Sequence, residues 1–248
     1  MNVKKILVSQ PQPSSGKSPY YDVAQRHDVE VVFRPFIKVE GLTPREFRKQ
    51  RINLPDYTAV IFTARTAVDH YFRLCKEMRF TVPDTQKYFC LSEAIALYLQ
   101  KYIVYRKRKI FYSETGNVED LFPLIHKHHA ETYLMPVSEV HNDAKTSALD
   151  TLEDFSYVKS VMYRTVSNDF SDDEVFDYDM VILFTPTGVK ALLSNVPDIA
   201  ERGVVLGAMG TTTIAAMNEA GLVPEVLLDK EATSMPAAID RYLTAHNQ

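Results

Sequence analysis

Four short stretches place hydroxyl or small residues between an apolar run and a helical pattern: Thr63-Ala64-Arg65-Thr66, Ser92, Thr185-Pro186-Thr187-Gly188 and Gly210-Thr211-Thr212-Thr213. The chemistry open to them is anion binding. In a parallel α/β sheet such turns gather at the carboxyl ends of the strands, where ligands bind. A helix start there presents unpaired backbone N–H groups and a partial positive charge, which suit carboxylates or phosphates. One exposed helix end is worth only ~0.3–1 kcal/mol, so several are needed. Any single turn is accounted for by Thr or Ser capping its helix; the set of four is what points to a ligand. Gly210 adds backbone freedom, which serves either close approach of a ligand or tight packing of helix on strand.

Among side chains that could move a proton, Tyr163 lies in Val161-Met162-Tyr163-Arg164-Thr165. It could donate, and by pattern alone it is also an ordinary strand tyrosine. His126-Lys127-His128-His129 has metal-ligating residue types but no acidic or Cys partner at ligand spacing. It reads as a solvated helix end whose cations suit the dipole. Arg106-Lys107-Arg108-Lys109 follows Tyr98, Tyr102 and Tyr105. It reads as a solvated connection that could also steer an anionic substrate or touch RNA. There is no GxSxG, GxxxxGK[ST], CxxC or HExxH, so neither a nucleotide loop nor a zinc site is expected. No metal or cofactor is anticipated.

The chain has 248 residues, 46% hydrophobic and 24% charged, a composition able to form a real core and long enough for one large or two compact domains. With 28 basic against 32 acidic residues the net charge is -4, which argues against a general nucleic-acid binder. Cys75 and Cys90 sit among apolar residues and form no disulfide framework, so buried free thiols and a reducing cytoplasm are expected. Ile6-Leu7-Val8 stops at Ser9-Gln10-Pro11, too short for a signal peptide, and no segment is apolar for long enough to span a membrane.

The elements that must position these turns alternate. Ile6–Val8, Val29–Pro35, Ala59–Phe62, Tyr88–Leu91, Lys109–Tyr112, Thr132–Pro136, Met180–Phe184 and Leu206–Ala208 read as strands. Helices are expected over Pro19–His27 and Leu42–Gln50, the latter with Thr43 as N-cap and Pro44 at the first helical position. Others follow Thr66, open at Ser92-Glu93, carry Leu121, Phe122 and Ile125, and follow Gly188 and Thr213. Asn142–Phe155 reads as helical, Val158–Val166 as extended, and Asn168–Asp179 as a solvated loop. Alternation throughout makes this an α/β protein with parallel sheets flanked by helices. Val60–Val68 and Ile182–Val189 echo each other as apolar strand, hydroxyl-rich turn and helix start. The echo suggests two similar lobes, although any parallel sheet repeats its units.

Taken in order, these stretches resemble the uroporphyrinogen-III synthase family. Ile6-Leu7-Val8-Ser9-Gln10-Pro11 resembles its opening strand and turn, and Phe62-Thr63-Ala64-Arg65-Thr66-Ala67-Val68 its Thr-Ser turn and Ala-Val helix start. Tyr163-Arg164-Thr165 resembles its Tyr-x-Thr crossing, Phe184-Thr185-Pro186-Thr187-Gly188-Val189 its Ser-Pro-Ser-Gly turn, and Gly210-Thr211-Thr212-Thr213 with Ala215-Ala216 its Gly-x-Thr-Thr-Ala helix start. The correspondence covers nearly the whole chain. The sequence departs from the family at Ala64, where Ser is common, at Ser92 and Ile95, where Gly and Thr are usual, and at Gln10, where a basic residue is frequent.

The resemblance implies two α/β lobes joined by a two-stranded connection, with residues 1–38 plus 166–248 in one and 39–165 in the other. It implies a cofactor-free lyase that closes hydroxymethylbilane, a linear tetrapyrrole, to uroporphyrinogen III. The hydroxyl leaves, and the last ring is inverted through a spiro intermediate. Uncatalysed closure gives the uninverted isomer, so control of substrate shape is the main task. A cleft between mobile lobes, lined by helix starts, would suit the polycarboxylate. Tyr163 becomes the candidate to assist hydroxyl departure, and the four turns become candidate substrate contacts. A monomer is the default. The competing readings are a non-enzymatic binding module for a small polyanion and an RNA-contact protein, the latter opposed by the net charge.

Overall fold

Apolar runs become strands, and the hydroxyl or proline residues after them open helices. The computed structural model describes residues 2–14, 16–141, 143–171 and 173–247. In chain order the elements are β1 (Lys5–Val8), α1 (Pro19–His27), β2 (Glu30–Phe33), β3 (Ile37–Gly41), α2 (Pro44–Arg48), β4 (Ala59–Phe62), α3 (Arg65–Glu77), β5 (Lys87–Cys90) and α4 (Glu93–Tyr98). They continue with β6 (Ile110–Tyr112), α5 (Phe122–Lys127), β7 (Tyr133–Ser138), β8 (Tyr157–Ser167), β9 (Met180–Leu183), α6 (Pro186–Asn195), β10 (Val205–Ala208), α7 (Thr211–Glu219), β11 (Val226–Leu227) and α8 (Met235–His246). The chain divides into two compact units, Met1–Lys38 with Val166–Gln248, and Val39–Thr165. No helix among the described residues is long and apolar enough to cross a membrane.

The first unit is built on a sheet of order β11-β10-β9-β1-β2, every neighbour parallel. Strands β1, β9 and β10 are covered on both faces, which is why they read as unbroken apolar runs. Side chains alternate across the sheet. Ile6, Val8, Met180 and Ile182 share a core with Ile239 and Leu243 of α8. Leu7, Val181 and Leu183 share the other with Leu192 of α6 and Met217 of α7. The acidic segment after β8 is held down by Arg34. Its guanidinium pairs with Glu174, donates to the carbonyls of Asn168 and Asp169 at 2.8 and 2.9 Å, and lies 3.9 Å from the Phe170 ring. The expected solvated loop is therefore an anchored one.

The second unit carries a sheet of order β3-β8-β7-β4-β5-β6. The neighbours from β8 through β6 are parallel. Strand β3 runs against β8: Leu42 N–H donates to Met162 at 2.9 Å, and Asn168 N–H donates to Phe36 at 2.9 Å, so partners advance in opposite directions. Helix α3 covers the sheet with Ala67, Val68, Tyr71, Leu74 and Cys75, one face at helical spacing. Both cysteines are buried free thiols, and burial pushes Cys75 up to about 12.

Several expectations are corrected. The turn after β4 is shorter than Thr63–Thr66, because Ala64 is the N-cap and Arg65 and Thr66 already belong to α3. The stretch Asn142–Phe155 holds two short 3-10 turns, Asp143–Lys145 and Ser147–Thr151, in place of one helix, and Asn142 lies outside the described residues. His128 is half-buried against Phe89 and Phe111, and burial with the nearby Lys87 lowers its pKa, so it does not serve as a solvated cation. Strand β3 and helix α8 have no counterpart in the sequence reading.

Thr43 caps α2 as expected, and reciprocally. Its hydroxyl accepts from Glu46 N–H at 3.2 Å, while Glu46 accepts from Thr43 N–H at 2.8 Å and from Arg164 at 2.9 Å. The Thr43 backbone first, then its hydroxyl and Arg164, hold Glu46 down at about 2. A depressed carboxyl stabilises the fold above its unfolded pKa, and that contribution disappears as pH falls from about 4.5 towards about 2. Urea midpoints measured across this window should fall with pH. Glu46→Gln should flatten that fall, and an unchanged slope would remove Glu46 as its source.

Candidate functional site

The second unit has a concavity at the carboxyl edge of its sheet. Taking β4 as the first strand of the unit, the order outward runs one way through β5 and β6 and the other way through β7 and β8. The chain reverses between β4 and β7, and such reversal points are where open α/β sheets bind ligands. Pairing of β4 with β7 stops at Val60 and Leu134, while β7 stays paired with β8 through Ser138 and Tyr163. Past that point a cavity of about 240 Å³ opens. Its apolar wall is Leu91, Met135, Val137 and Val140; its polar wall is Thr63, Ser138, His141, Asp143, Thr146 and Tyr163.

Of the residues expected from sequence, Thr63 and Tyr163 are brought together here. Tyr163 is half-buried, and burial raises its phenol above the ordinary tyrosine value. It therefore stays protonated at neutral pH and remains a donor. Its hydroxyl makes no hydrogen bond to a described residue, which leaves it available to a ligand. His141 and Asp143 lie on the same polar wall: His141 Nδ1 lies 2.8 Å from the Ser138 carbonyl, and Asp143 pairs with Lys159 at 2.9 Å. Neither was found in the sequence. The strand expected from sequence ends at Pro136, two residues short of Ser138, and so leaves out the carboxyl-edge turn that contributes most of this polar wall.

The remaining residues fall into distinct roles. Ala64 and Ser92 are the N-caps of α3 and α4 without a side-chain cap bond, so the first N–H groups there keep their capacity. Arg65 lies over the Tyr98 ring at 5.5 Å, and Thr66 is the second residue of α3. Neither Ser92 nor Thr66 lines the cavity. In the first unit Thr185 follows β9, accepts from Gly188 N–H at 3.0 Å, and so caps α6 in the ordinary way. A Cβ on Gly188 would lie 3.2 Å from that hydroxyl. Pro186 has no N–H to give, and Thr187 is exposed. Gly210, at φ 88°, caps α7 with no side chain, a conformation that glycine adopts at no steric cost. Thr211 and Thr212 are exposed at this helix start, whereas Thr213 is buried and its hydroxyl has no partner among the described residues. Only the backbone of Thr213 can be offered to a ligand. The four turns thus lie two to a sheet, Thr63 and Ser92 in one unit, Thr185 and Gly210 in the other. Among the described residues no group of three or more His, Cys, Asp or Glu could hold a metal ion.

Comparison with known proteins gives one family. The family model described as uroporphyrinogen-III synthase HemD matches residues 19–234. The crystal structure of uroporphyrinogen-III synthetase from Helicobacter pylori 26695 aligns over 98% of this chain and 100% of its own, at 17% identity and a TM-score of 0.57. A mutant uroporphyrinogen III synthase from the extremely thermophilic bacterium Thermus thermophilus aligns over 98% of each chain at 14% identity and a TM-score of 0.45. Among curated protein sequences none matches.

Proposed function

The chain belongs to the uroporphyrinogen-III synthase family, and on that premise we propose that Tyr163 is the proton donor of its reaction and the helix starts at Ala64 and Gly210 are its carboxylate contacts. The reaction closes hydroxymethylbilane to uroporphyrinogen III with inversion of the last ring and loss of water, as a lyase of tetrapyrrole biosynthesis. The match over residues 19–234 carries the activity. The site is supported by the cavity that Tyr163 and Thr63 share at the reversal of strand order.

The proposed chemistry follows from these positions. The Tyr163 hydroxyl donates its proton to the substrate hydroxyl as the C–O bond breaks, and water leaves. The last ring attacks the electrophile so formed through its substituted α-carbon, giving the spiro intermediate. The bond from that carbon to its old bridge breaks, and the freed bridge carbon is captured by the unsubstituted α-carbon of the same ring. The proton lost from that unsubstituted carbon returns to the phenolate. The cavity has an apolar wall for the face of a pyrrole and a polar wall for its acetate or propionate, and it is sized for one substituted ring. Excluding water there protects the azafulvene, the electrophilic ring left when the hydroxyl departs, from capture. Helices α3 and α7 open without a side-chain cap, so their N–H groups are the donors offered to the remaining carboxylates. The reading extends to a cytoplasmic monomer that acts on a small molecule and not on nucleic acid. Two buried free thiols and a net charge of -4 support it.

An isomer assay tests the activity. Hydroxymethylbilane generated in situ is incubated with the protein, oxidised, and the porphyrin isomers separated. Dominant isomer III is expected; isomer I alone, at the uncatalysed rate and with folded protein, would leave binding without turnover as the better reading. The backbone contacts have their own test at Thr211, the first residue of α7. Thr211→Pro removes one N–H where proline is tolerated in a helix. A lost hydrogen bond to a charged group is worth about 1.5–3 kcal/mol, so KM should rise roughly tenfold or more. Thr211→Ala, which keeps the N–H, should leave KM within about twofold. Equal effects of the two would assign the contact to the side chain.

A further inference from the structure

The Tyr163 ring is clasped from its face. His70, on the second turn of α3, lies nearly parallel to it, with centroids 5.0 Å apart and planes 16° apart. His70 Nδ1 accepts from Arg73 Nε at 3.2 Å. A nitrogen that accepts carries no proton, so this contact assigns the ring as neutral with its proton on Nε2. Burial, then the charge of Arg73, lowers the His70 pKa against the opposing pull of Asp69 and Glu77. The neutral ring is thus the form this setting favours.

Arg73 is itself fixed. Its guanidinium donates to the Leu42 carbonyl at 2.8 Å, to the Met162 carbonyl at 3.4 Å and to Glu77 at 2.8 Å. Met162 is the residue before Tyr163, so one guanidinium holds both the backbone that carries the tyrosine and the imidazole that stacks on it. Gly41 makes room for it: a Cβ there would overlap the Arg73 guanidinium. At the other end the Tyr163 hydroxyl has no partner among the described residues, so nothing at that end sets the angle of the ring.

We infer that His70 is a positioning residue for the ring closure: held by Arg73, its imidazole stacks on Tyr163 and fixes the direction in which the phenol presents its hydroxyl. The inference rests on the reading of Tyr163 as proton donor. Proton donation depends on orientation, and a misplacement of about 1 Å can cost on the order of 10²-fold. Histidine suits the position because it offers both a face to the phenol and an acceptor to Arg73. Phenylalanine offers only the face, and alanine offers neither.

The test compares kcat, KM and the isomer III fraction for the full chain with His70→Ala, His70→Phe, Tyr163→Phe and the double variant His70→Ala/Tyr163→Phe, each corrected for its folded fraction by circular dichroism. His70→Ala should lower kcat by roughly tenfold with KM within about twofold, since orientation and not binding is lost. His70→Phe should recover part of that loss. The double variant should match Tyr163→Phe, because an aligned group that is already absent cannot be misaligned further. Normal kcat per folded molecule in His70→Ala, beside a defective Tyr163→Phe, would overturn the inference and leave the role of Tyr163 intact. Losses that multiply in the double variant would also overturn it, since His70 would then act independently of Tyr163. An undiminished Tyr163→Phe would remove the proton-donor reading and this inference with it.

Discussion

Tyr163→Phe is expected to lower kcat for isomer III by on the order of 10²-fold, the lower end of what a positioned general acid contributes. The lower end is expected because much of the task is shaping a flexible chain, and the variant keeps the aromatic ring that lines the cavity and stacks on His70. KM should change little, since removing one hydroxyl leaves the backbone donors and the cavity walls in place. The isomer ratio should move with the rate: bilane that the slower enzyme leaves untouched closes on its own to isomer I. The pH dependence carries an independent signature. Burial raises the phenol above the ordinary tyrosine value of 10.0, so no loss of kcat from its ionisation should be seen below about pH 10. An alkaline limb well below that, still present in Tyr163→Phe, would belong to another group. A Tyr163→Phe enzyme within about twofold of the parent would mean that water protonates the leaving hydroxyl and that the protein contributes shape alone.

The sequence is legible where one local rule determines the outcome. Strands β4 and β9 are runs buried on both faces, which need only apolarity to be seen, and α3 shows itself by the spacing of Ala67, Val68, Tyr71, Phe72 and Cys75. Thr43 and Pro44 announce α2 because capping is settled within its first turn. Legibility fails where the partner is distant. Strand β3 has mostly solvated side chains and exists because β8, more than a hundred residues later, supplies its hydrogen bonds. The expected strand ends at Pro136, yet β7 runs on to Ser138 because β8 continues beside it. That early end hid Ser138 and the His141–Asp143 wall from the site. Tyr163 and Thr63 could be nominated from sequence, but that they share a cavity follows from strand order, which the chain does not state locally. Helix α8 is a different kind of miss, since Ser234 as N-cap with Pro236 near the first turn is a readable signal.

The largest stability effect is expected at Phe62, the last residue of β4 and the one that sets Thr63 at the cavity. Its side chain is 0% exposed, and its ring lies 5.6 Å from Tyr71 and 6.1 Å from Tyr88. Phe62→Ala removes the ring from between a strand and the helix above it. The lost burial and the space left behind should cost about 3–5 kcal/mol, a large share of the roughly 5–15 kcal/mol that stabilises a typical domain. Phe62→Leu, which refills most of the volume, should cost about 1.5 kcal/mol or less. The chain has no tryptophan, so a single fluorescence transition will not locate the damage, and hydrogen exchange is the better measurement. Amides of β4, β5 and β7 should lose protection in Phe62→Ala, while those of β1, β9 and β10, whose cores contain no residue of the second unit, should keep it. This follows from the division of contacts into two units, since each core is then a separate reservoir of burial and each unit opens with its own free energy. Protection lost equally in all six strands would show instead that the units unfold as one.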